Sequence, residues 1–325
     1  MLPVSTVQLT VVIAFAMAAT GNVFAQVAAA KTLNIVATTG MVADIVRGVA
    51  GPHGNVTSLM GEGVDPHLFK PGRGDIATLL NADVVFYNGL MLEGKLTDAL
   101  VRVASSGRKV VAVTEQLDDS LKLEPEQFEG HYDPHVWMDP RAWSKTVDVV
   151  RDALIAADAS HEKDYRNAAE RLARELKQLD EYAEQALASV PREARVLVTA
   201  HDAFNYFGRR YGYEVVGIQG ISTESEAGVR DIEKLVDMLV KRKIGAVFVE
   251  TTVSHRNVEA LIAGAKARGH EVKIAGNLFS DAMGKPGSYE GTYVGMIDHN
   301  VTTIARALGG KAPARGMHGK LAEAK

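Results

Sequence analysis

The sequence predicts an α/β protein of two lobes, each with a mostly parallel β-sheet flanked by helices, joined by one long rigid α-helix. Three observations lead to this fold class. Short β-type runs alternate with segments of helical apolar spacing in the first half of the 325-residue chain. The same alternation restarts after residue 190, and residues 161–190 between the two halves contain neither glycine nor proline. Alternating strands and helices are typical of βαβ units, which form parallel sheets.

The first half of the chain contains four predicted strands and three predicted helices. The strands cover 33–37, 56–60, 84–87 and 109–113. The helices, in which apolar residues recur at helical steps, cover 41–49, 75–80 and 96–103. This order of elements indicates a parallel sheet with helices on its faces.

The second half repeats the pattern with four further strands. They cover 195–199, 214–218, 246–249 and 272–275. Helical segments start near Ala203, Ala227, Arg256 and Thr292. We therefore expect a second α/β lobe.

The segment 161–190 is predicted to be one amphipathic helix, in which Leu172, Leu176 and Leu179 follow each other at three- and four-residue steps. A helix of this length spans roughly 40 Å. A coiled-coil arm is the alternative, but only about four turns carry the apolar stripe, which is short for a heptad array. A rigid strut that ends before Pro191 is the better interpretation.

The N-terminus reads as a secretory signal. Residues 11–19 form an unbroken apolar run, too short for a bilayer, which needs about 20 apolar residues, but typical of a signal core. Val23-Phe24-Ala25 offers a cleavage site, although no lysine or arginine precedes the run. An apolar tail or a misassigned start is the alternative. We expect residues 1–25 to be removed, leaving an N-terminal lobe (26–160), the linking helix (161–190) and a C-terminal lobe (191–325).

Composition excludes several classes of protein. The formal net charge is −4 and the pI is near 6.2, which argues against a nucleic-acid partner. The chain has no cysteine. Disulfides, thiolate zinc sites, a cysteine nucleophile and a lipidated N-terminal cysteine are therefore excluded, and a periplasmic protein that is not a lipoprotein is expected.

Histidine and carboxylate must then carry the chemistry. The tripeptide Asp-Pro-His occurs twice, ending at His67 and at His135, and proline restrains the loop that presents each imidazole. His201 and Asp281 each follow a predicted strand. Ligands of open parallel sheets bind beyond the carboxyl ends of strands, so these loops could converge on Zn²⁺, Mn²⁺ or Fe²⁺. Taken singly, each histidine at a strand end is better explained as a hydrogen-bonded loop residue than as a ligand.

Several stretches together resemble the metal-specific (zinc/manganese/iron, TroA-like) solute-binding proteins of ABC importers. They are Asp65-Pro66-His67, Tyr87-Asn88-Gly89-Leu90 with Glu93, Asp133-Pro134-His135-Val136-Trp137, Thr199-Ala200-His201-Asp202-Ala203-Phe204, Gly217-Ile218-Gln219-Gly220 and Phe279-Ser280-Asp281. The resemblance implies two lobes joined by one long helix and a metal site formed by His67, His135, His201 and Asp281. It also implies a monomer, itself soluble, that docks on an inner-membrane permease driven by a cytoplasmic ATPase.

The cargo and the function keep alternatives at this stage. Residues 114–131 hold six acidic residues but only one histidine, His131, so an exclusively zinc role is weakened. Mn²⁺ and Zn²⁺ are favoured jointly, with manganese ahead and Fe²⁺ third. A metal-dependent hydrolase would need a base, for which Asp202 and Glu224 are the candidates. A surface adhesin without a transport role is the third hypothesis.

Overall fold

The computed structural model describes residues 32–322. The predicted signal at 1–25 lies outside them. The strands are β1 Leu33–Ala37, β2 Gly54–Ser58, β3 Val84–Tyr87, β4 Lys109–Ala112, β5 Val196–His201, β6 Glu214–Gln219, β7 Ala246–Glu250 and β8 Lys273–Leu278. The helices are α1 Gly40–Ala50, α2 Arg73–Asn81, α3 Thr97–Ser105, α4 Pro140–Trp143, α5 Thr146–Ala157, α6 Glu162–Ala188, α7 Asn205–Tyr211, α8 Val229–Arg242, α9 Arg256–Ala267 and α10 Tyr293–Ala307.

The N-terminal lobe is built on a four-stranded, all-parallel sheet in the order β2-β1-β3-β4. Side chains alternate between its faces, because successive residues of a strand point to opposite sides. Ile35 and Phe86 join the apolar core that contains α1. Val36 and Val85 join a second cluster formed with α2 and α3. Helices therefore cover both faces, as in other parallel sheets.

The C-terminal lobe is also parallel, but its hydrogen bonding is divided. β5 pairs with β6 and β7 pairs with β8, each as a separate two-stranded sheet, and β5 and β7 lie next to each other. The register of β7 and β8 shifts between Val247 and Phe248. α8 and α9 pack against this lobe around Val236 and Leu261.

The long helix α6 has 27 residues and spans roughly 40 Å at 1.5 Å per residue. Its apolar face is buried inside the chain, which contradicts a coiled-coil arm. Leu176 and Leu179 belong to one hydrophobic core that also contains Trp137 of the N-terminal lobe and Ile304 of the C-terminal lobe. The two lobes thus share a core along this helix, and truncating such a leucine to alanine costs about 2–5 kcal/mol.

All eight predicted strands and the long helix are present, with ends displaced by at most three residues. The helix Thr146–Ala157 was not predicted, although Val147, Val150 and Leu154 have helical spacing and are buried. Residues 32–322 include no helix long and apolar enough to cross a membrane. The boundaries at 160/161 and 190/191 stay a prediction.

Candidate metal centre

The four residues proposed from the sequence come together at one point. One donor atom from each of His67, His135, His201 and Asp281 lies within 4.8 Å of all the others. Two of them come from loops of the N-terminal lobe and two from the C-terminal lobe. All four are buried, with at most 4% of their surface exposed. Their role as metal ligands stays a prediction that this geometry supports.

Strand ends explain the convergence. His201 is the last residue of β5, and Asp281 comes three residues after β8. His67 lies in the loop after β2, and His135 directly precedes a short 3₁₀ turn at Val136–Met138. Because the carboxyl ends of parallel strands lie at one edge of a sheet, the loops of both lobes face each other there.

The spacing of the donor atoms suits a small cation. Asp281 Oδ2 lies 3.2 Å from His201 Nε2 and 3.7 Å from His67 Nε2, and Asp281 Oδ1 lies 3.4 Å from His135 Nε2. The Nε2 atoms of His67 and His135 are 3.4 Å apart. Metal–ligand bonds of about 2.0–2.2 Å in a tetrahedral arrangement separate the ligand atoms by about 3.4 Å.

Three of these atoms are buried without a hydrogen-bond partner in the part of the chain that the structure describes: His201 Nε2 and both carboxylate oxygens of Asp281. Leaving a buried polar group unpaired costs about 1–3 kcal/mol, and more for a charged group. Such groups call for an explanation in a native fold. A divalent cation between them would satisfy all three at once.

Carboxylates orient two of the imidazoles from behind. His135 Nδ1 lies 2.7 Å from Asp133 Oδ1, and His201 Nδ1 lies 2.5 Å from Glu250 Oε2. The backbone N–H of His201 also donates to Glu250 Oε1 at 2.9 Å. Partners of this kind direct the opposite nitrogen, Nε2, to the centre and raise the basicity of the ring.

His67 is held differently. Its backbone N–H donates to Asp65 Oδ1 at 2.9 Å, while Asp65 Oδ2 accepts from Thr223 Oγ1 at 2.6 Å. Thr223 belongs to the C-terminal lobe. Within residues 32–322 no carboxylate forms a hydrogen bond with the His67 ring comparable to those at His135 and His201.

These surroundings shift the pKa values of the three imidazoles in different directions. Burial lowers the pKa of His67 to about 3. Burial also opposes the charge of His135, but Asp133 and Asp281 outweigh it and raise the pKa of His135 to about 9. Glu250 and Asp281 likewise overcome burial and raise the pKa of His201. Burial favours a neutral Asp281, yet His201 and His135 hold its pKa well below the ordinary value. A metal must displace the protons of His135 and His201 to bind.

Sequence reasoning missed Glu250 and left Asp65 and Asp133 without roles. Glu250 had one signal, a carboxylate that ends the buried apolar strand β7 at the same edge as His201. The two proposed catalytic bases have other partners. Asp202 accepts from Gln127 at 3.0 Å, and Glu224 pairs with Lys95 at 3.2 Å. His131 is exposed, and its ring lies beside that of Phe128 in a tilted arrangement with centroids 5.2 Å apart.

Comparison with known proteins identifies the family. The model of the zinc-uptake complex component A, periplasmic (ZnuA), matches residues 35–307. The manganese-binding lipoprotein MntA of Bacillus subtilis is 44% identical over 294 residues, which cover 90% of this chain and 95% of the relative. The zinc-binding protein TroA of Treponema pallidum is 46% identical over 274 residues, which cover 84% of this chain and 88% of the relative.

Solved structures agree with the sequence comparisons. The structure of periplasmic TroA superposes with a TM-score of 0.82 at 45% identity and covers 85% of this chain and 99% of that one. Fe(III)-bound YtgA from Chlamydia trachomatis has a TM-score of 0.76 at 27% identity and covers 86% and 99%. The resemblance seen in the sequence is confirmed, and the chain belongs to the ZnuA family of periplasmic metal-binding solute-binding proteins.

Proposed function

We propose that this protein is the receptor of an ABC-type importer. It captures a divalent transition metal between its lobes with His67, His135, His201 and Asp281, and it delivers the ion to a permease powered by a cytoplasmic ATPase. The observation that carries this proposal is the set of three buried donor atoms, His201 Nε2 and the two Asp281 oxygens, that lack a partner at the convergence point.

Capture and release, without catalysis, is the better use of this site. A catalytic zinc site keeps one coordination position for water. The four proposed donors would fill a tetrahedral shell, and the candidate bases Asp202 and Glu224 are bound to Gln127 and Lys95. No observation favours an adhesin role at this site.

We propose Mn²⁺ and Zn²⁺ as the cargo. The names of the relatives point to both, because MntA is manganese-binding and TroA is zinc-binding, while YtgA was crystallised with Fe(III). Three imidazoles and one carboxylate suit each of these ions. Zn²⁺ outcompetes Mn²⁺ at most nitrogen and oxygen sites in vitro. Metal analysis of the protein purified from its native compartment, without added metal, therefore identifies the physiological cargo.

We propose a cleaved signal at 1–25, a periplasmic monomer, and lobes at 26–160 and 191–325 joined by 161–190. MntA is named a lipoprotein, but this chain has no cysteine to carry a lipid. N-terminal sequencing of the exported protein tests cleavage of the signal, and we expect the mature chain to start at Gln26.

The ligand set is tested by thermal unfolding with and without Zn²⁺. Metal at a thousandfold excess over Kd stabilises the fold by about 4 kcal/mol. His67→Ala, His135→Ala and His201→Ala should each lose most of that shift. His53→Ala is the matched control, because His53 stacks on His161 away from the site. A control that behaves like the three variants would contradict the ligand assignment.

A further inference from the structure

One loop of the C-terminal lobe makes two of the polar contacts that join the lobes near the candidate metal centre. Thr223 Oγ1 of the C-terminal lobe donates to Asp65 Oδ2 of the N-terminal lobe at 2.6 Å. One residue further along the same loop, Glu224 pairs with Lys95 Nζ at 3.2 Å. We refer to Asp65–Thr223 and Lys95–Glu224 as the mouth contacts.

Asp65 takes part in a mouth contact and also holds the backbone of His67, a proposed metal ligand. Its Oδ1 accepts from the backbone N–H of His67 at 2.9 Å, and its Oδ2 accepts from Thr223. One carboxylate therefore connects the backbone of a proposed ligand with the opposite lobe. Separation of the lobes at this point removes the Thr223 bond from Asp65 and frees the loop that presents His67.

The two mouth contacts differ in burial, and burial decides which one matters. Thr223 is 9% exposed, and its bond is made to a charged acceptor. The side chains of Lys95 and Glu224 are 34% and 51% exposed. Water competes for an exposed ion pair, whose effect on an equilibrium is less than about fivefold. Loss of a hydrogen bond to a charged group is worth about tenfold or more.

We propose that Asp65 is a positioning residue whose hydrogen bond to Thr223 sets the rate at which metal leaves the site. The inference rests on the proposed function, because it concerns release of the same cargo. The bond exists only while the lobes are together, so it must break before the ion escapes. In this proposal the ion is captured while the lobes are apart at this point, and the bond forms behind it. The dissociation rate therefore carries the effect, and the association rate does not.

Stopped-flow transfer of Zn²⁺ to an excess of a chromogenic chelator tests this inference. Thr223→Val keeps the shape of the side chain and removes the hydroxyl. It should release Zn²⁺ about tenfold faster, with an association rate within about twofold of the wild type. Thr223→Ser restores the hydroxyl and should restore slow release. Ser222→Ala is the matched control, because the hydrogen bond that Ser222 Oγ accepts comes from the Glu224 N–H of its own loop and not from the N-terminal lobe.

The exposed pair is tested by charge exchange. Lys95→Glu should accelerate release by less than about fivefold, and adding Glu224→Lys should reverse the change. A larger effect of Lys95→Glu than of Thr223→Val would overturn the role given to Asp65. Tight zinc binding with equal release rates in wild type and Thr223→Val would overturn the inference alone. A wild-type protein that takes up no Zn²⁺ would overturn the proposed function, and the inference with it.

Discussion

The tripeptide Asp-Pro-His occurs twice at the metal centre, and its two copies have different surroundings. The local backbone is alike, because the aspartate accepts from the histidine N–H at 2.9 Å in both copies. The side chains differ. Asp133 also faces the Nδ1 atom of His135, whereas Asp65 turns its second oxygen to Thr223.

The C-terminal lobe accounts for the difference. Asn205 Nδ2 donates to Asp133 Oδ2 at 3.1 Å, and Tyr206 Oη donates to the Asp133 carbonyl at 2.8 Å. These contacts bury Asp133 completely, and its charge then raises the pKa of His135 to about 9, whereas burial lowers that of His67 to about 3. Identical tripeptides thus shift the pKa values of their imidazoles in opposite directions.

The largest expected effect concerns metal-free stability. His135→Ala leaves Asp133 and Asp281 buried without the cation between them, and breaking such an arrangement costs about 3–5 kcal/mol. His67→Ala also empties a buried position, but it removes a ring that its low pKa of about 3 keeps neutral, so no charge loses its partner and the loss should be smaller. Urea unfolding in the presence of a chelator measures both. Equal losses for the two variants would show that the two copies are equivalent.

The second effect concerns metal affinity. Asp133→Asn keeps the shape but removes the charge behind His135, and loss of such a partner weakens metal binding by about 10–100-fold. Asp65→Asn should weaken it by less than about tenfold, because Asp65 contacts the backbone of His67 and not the ring. Calorimetric titration with Zn²⁺ compares them. A greater loss in Asp65→Asn would reverse the ranking.

The third effect is on pH dependence. In the metal-free protein His135 is protonated below a pKa of about 9, so metal competes with that proton and affinity should rise between pH 7 and 9. The stabilisation of the metal-free fold by the charged ring has the opposite sign: it is complete below 6.5, the ordinary pKa, and is lost as the pH rises through about 9.

Asp133→Asn removes one cause of the raised pKa of His135, so affinity should rise less steeply between pH 7 and 9, while His201 keeps its own raised pKa. Asp65→Asn should leave the profile unchanged, because the pKa of His67, about 3, lies below the tested range. Competition titrations against a chelator at four pH values give both profiles. Parallel profiles for wild type and Asp133→Asn would contradict the role of Asp133.

The smallest effect tests the prolines. Pro66→Ala lets the loop that presents His67 sample more conformations, so metal binding, which needs that loop ordered, should weaken by less than about fivefold. Pro134→Ala should change affinity less, because the network around Asp133 holds His135 in place and Asn88 Nδ2 donates to the Pro134 carbonyl at 3.1 Å. Calorimetric titration of both variants with Zn²⁺ compares the two losses of affinity. A larger loss in Pro134→Ala would mean that proline, rather than Asp133, positions His135.

The ends of predicted strands indicate most of the candidate site in the sequence. A buried run such as Val84–Tyr87 predicts a parallel strand, and the residues after such strands included His201 and Asp281. The roles of Glu250 and Thr223 were beyond sequence reasoning, because their partners His201 and Asp65 lie 49 and 158 residues away in the chain. Pairings over such distances depend on how the lobes pack, which local periodicity does not encode. The helix Thr146–Ala157 is a different case, since the helical spacing of its apolar residues is visible in the sequence itself.

The donor set of the metal centre also has a consequence for redox chemistry. Three imidazoles and a carboxylate contain no sulfur, and the chain has no cysteine at all. Oxidants convert thiolates to sulfenic acids and disulfides and so disable thiolate metal sites. None of that chemistry is open to His67, His135, His201 or Asp281. Metal capture by these four residues is therefore expected to be independent of the thiol–disulfide balance of its compartment.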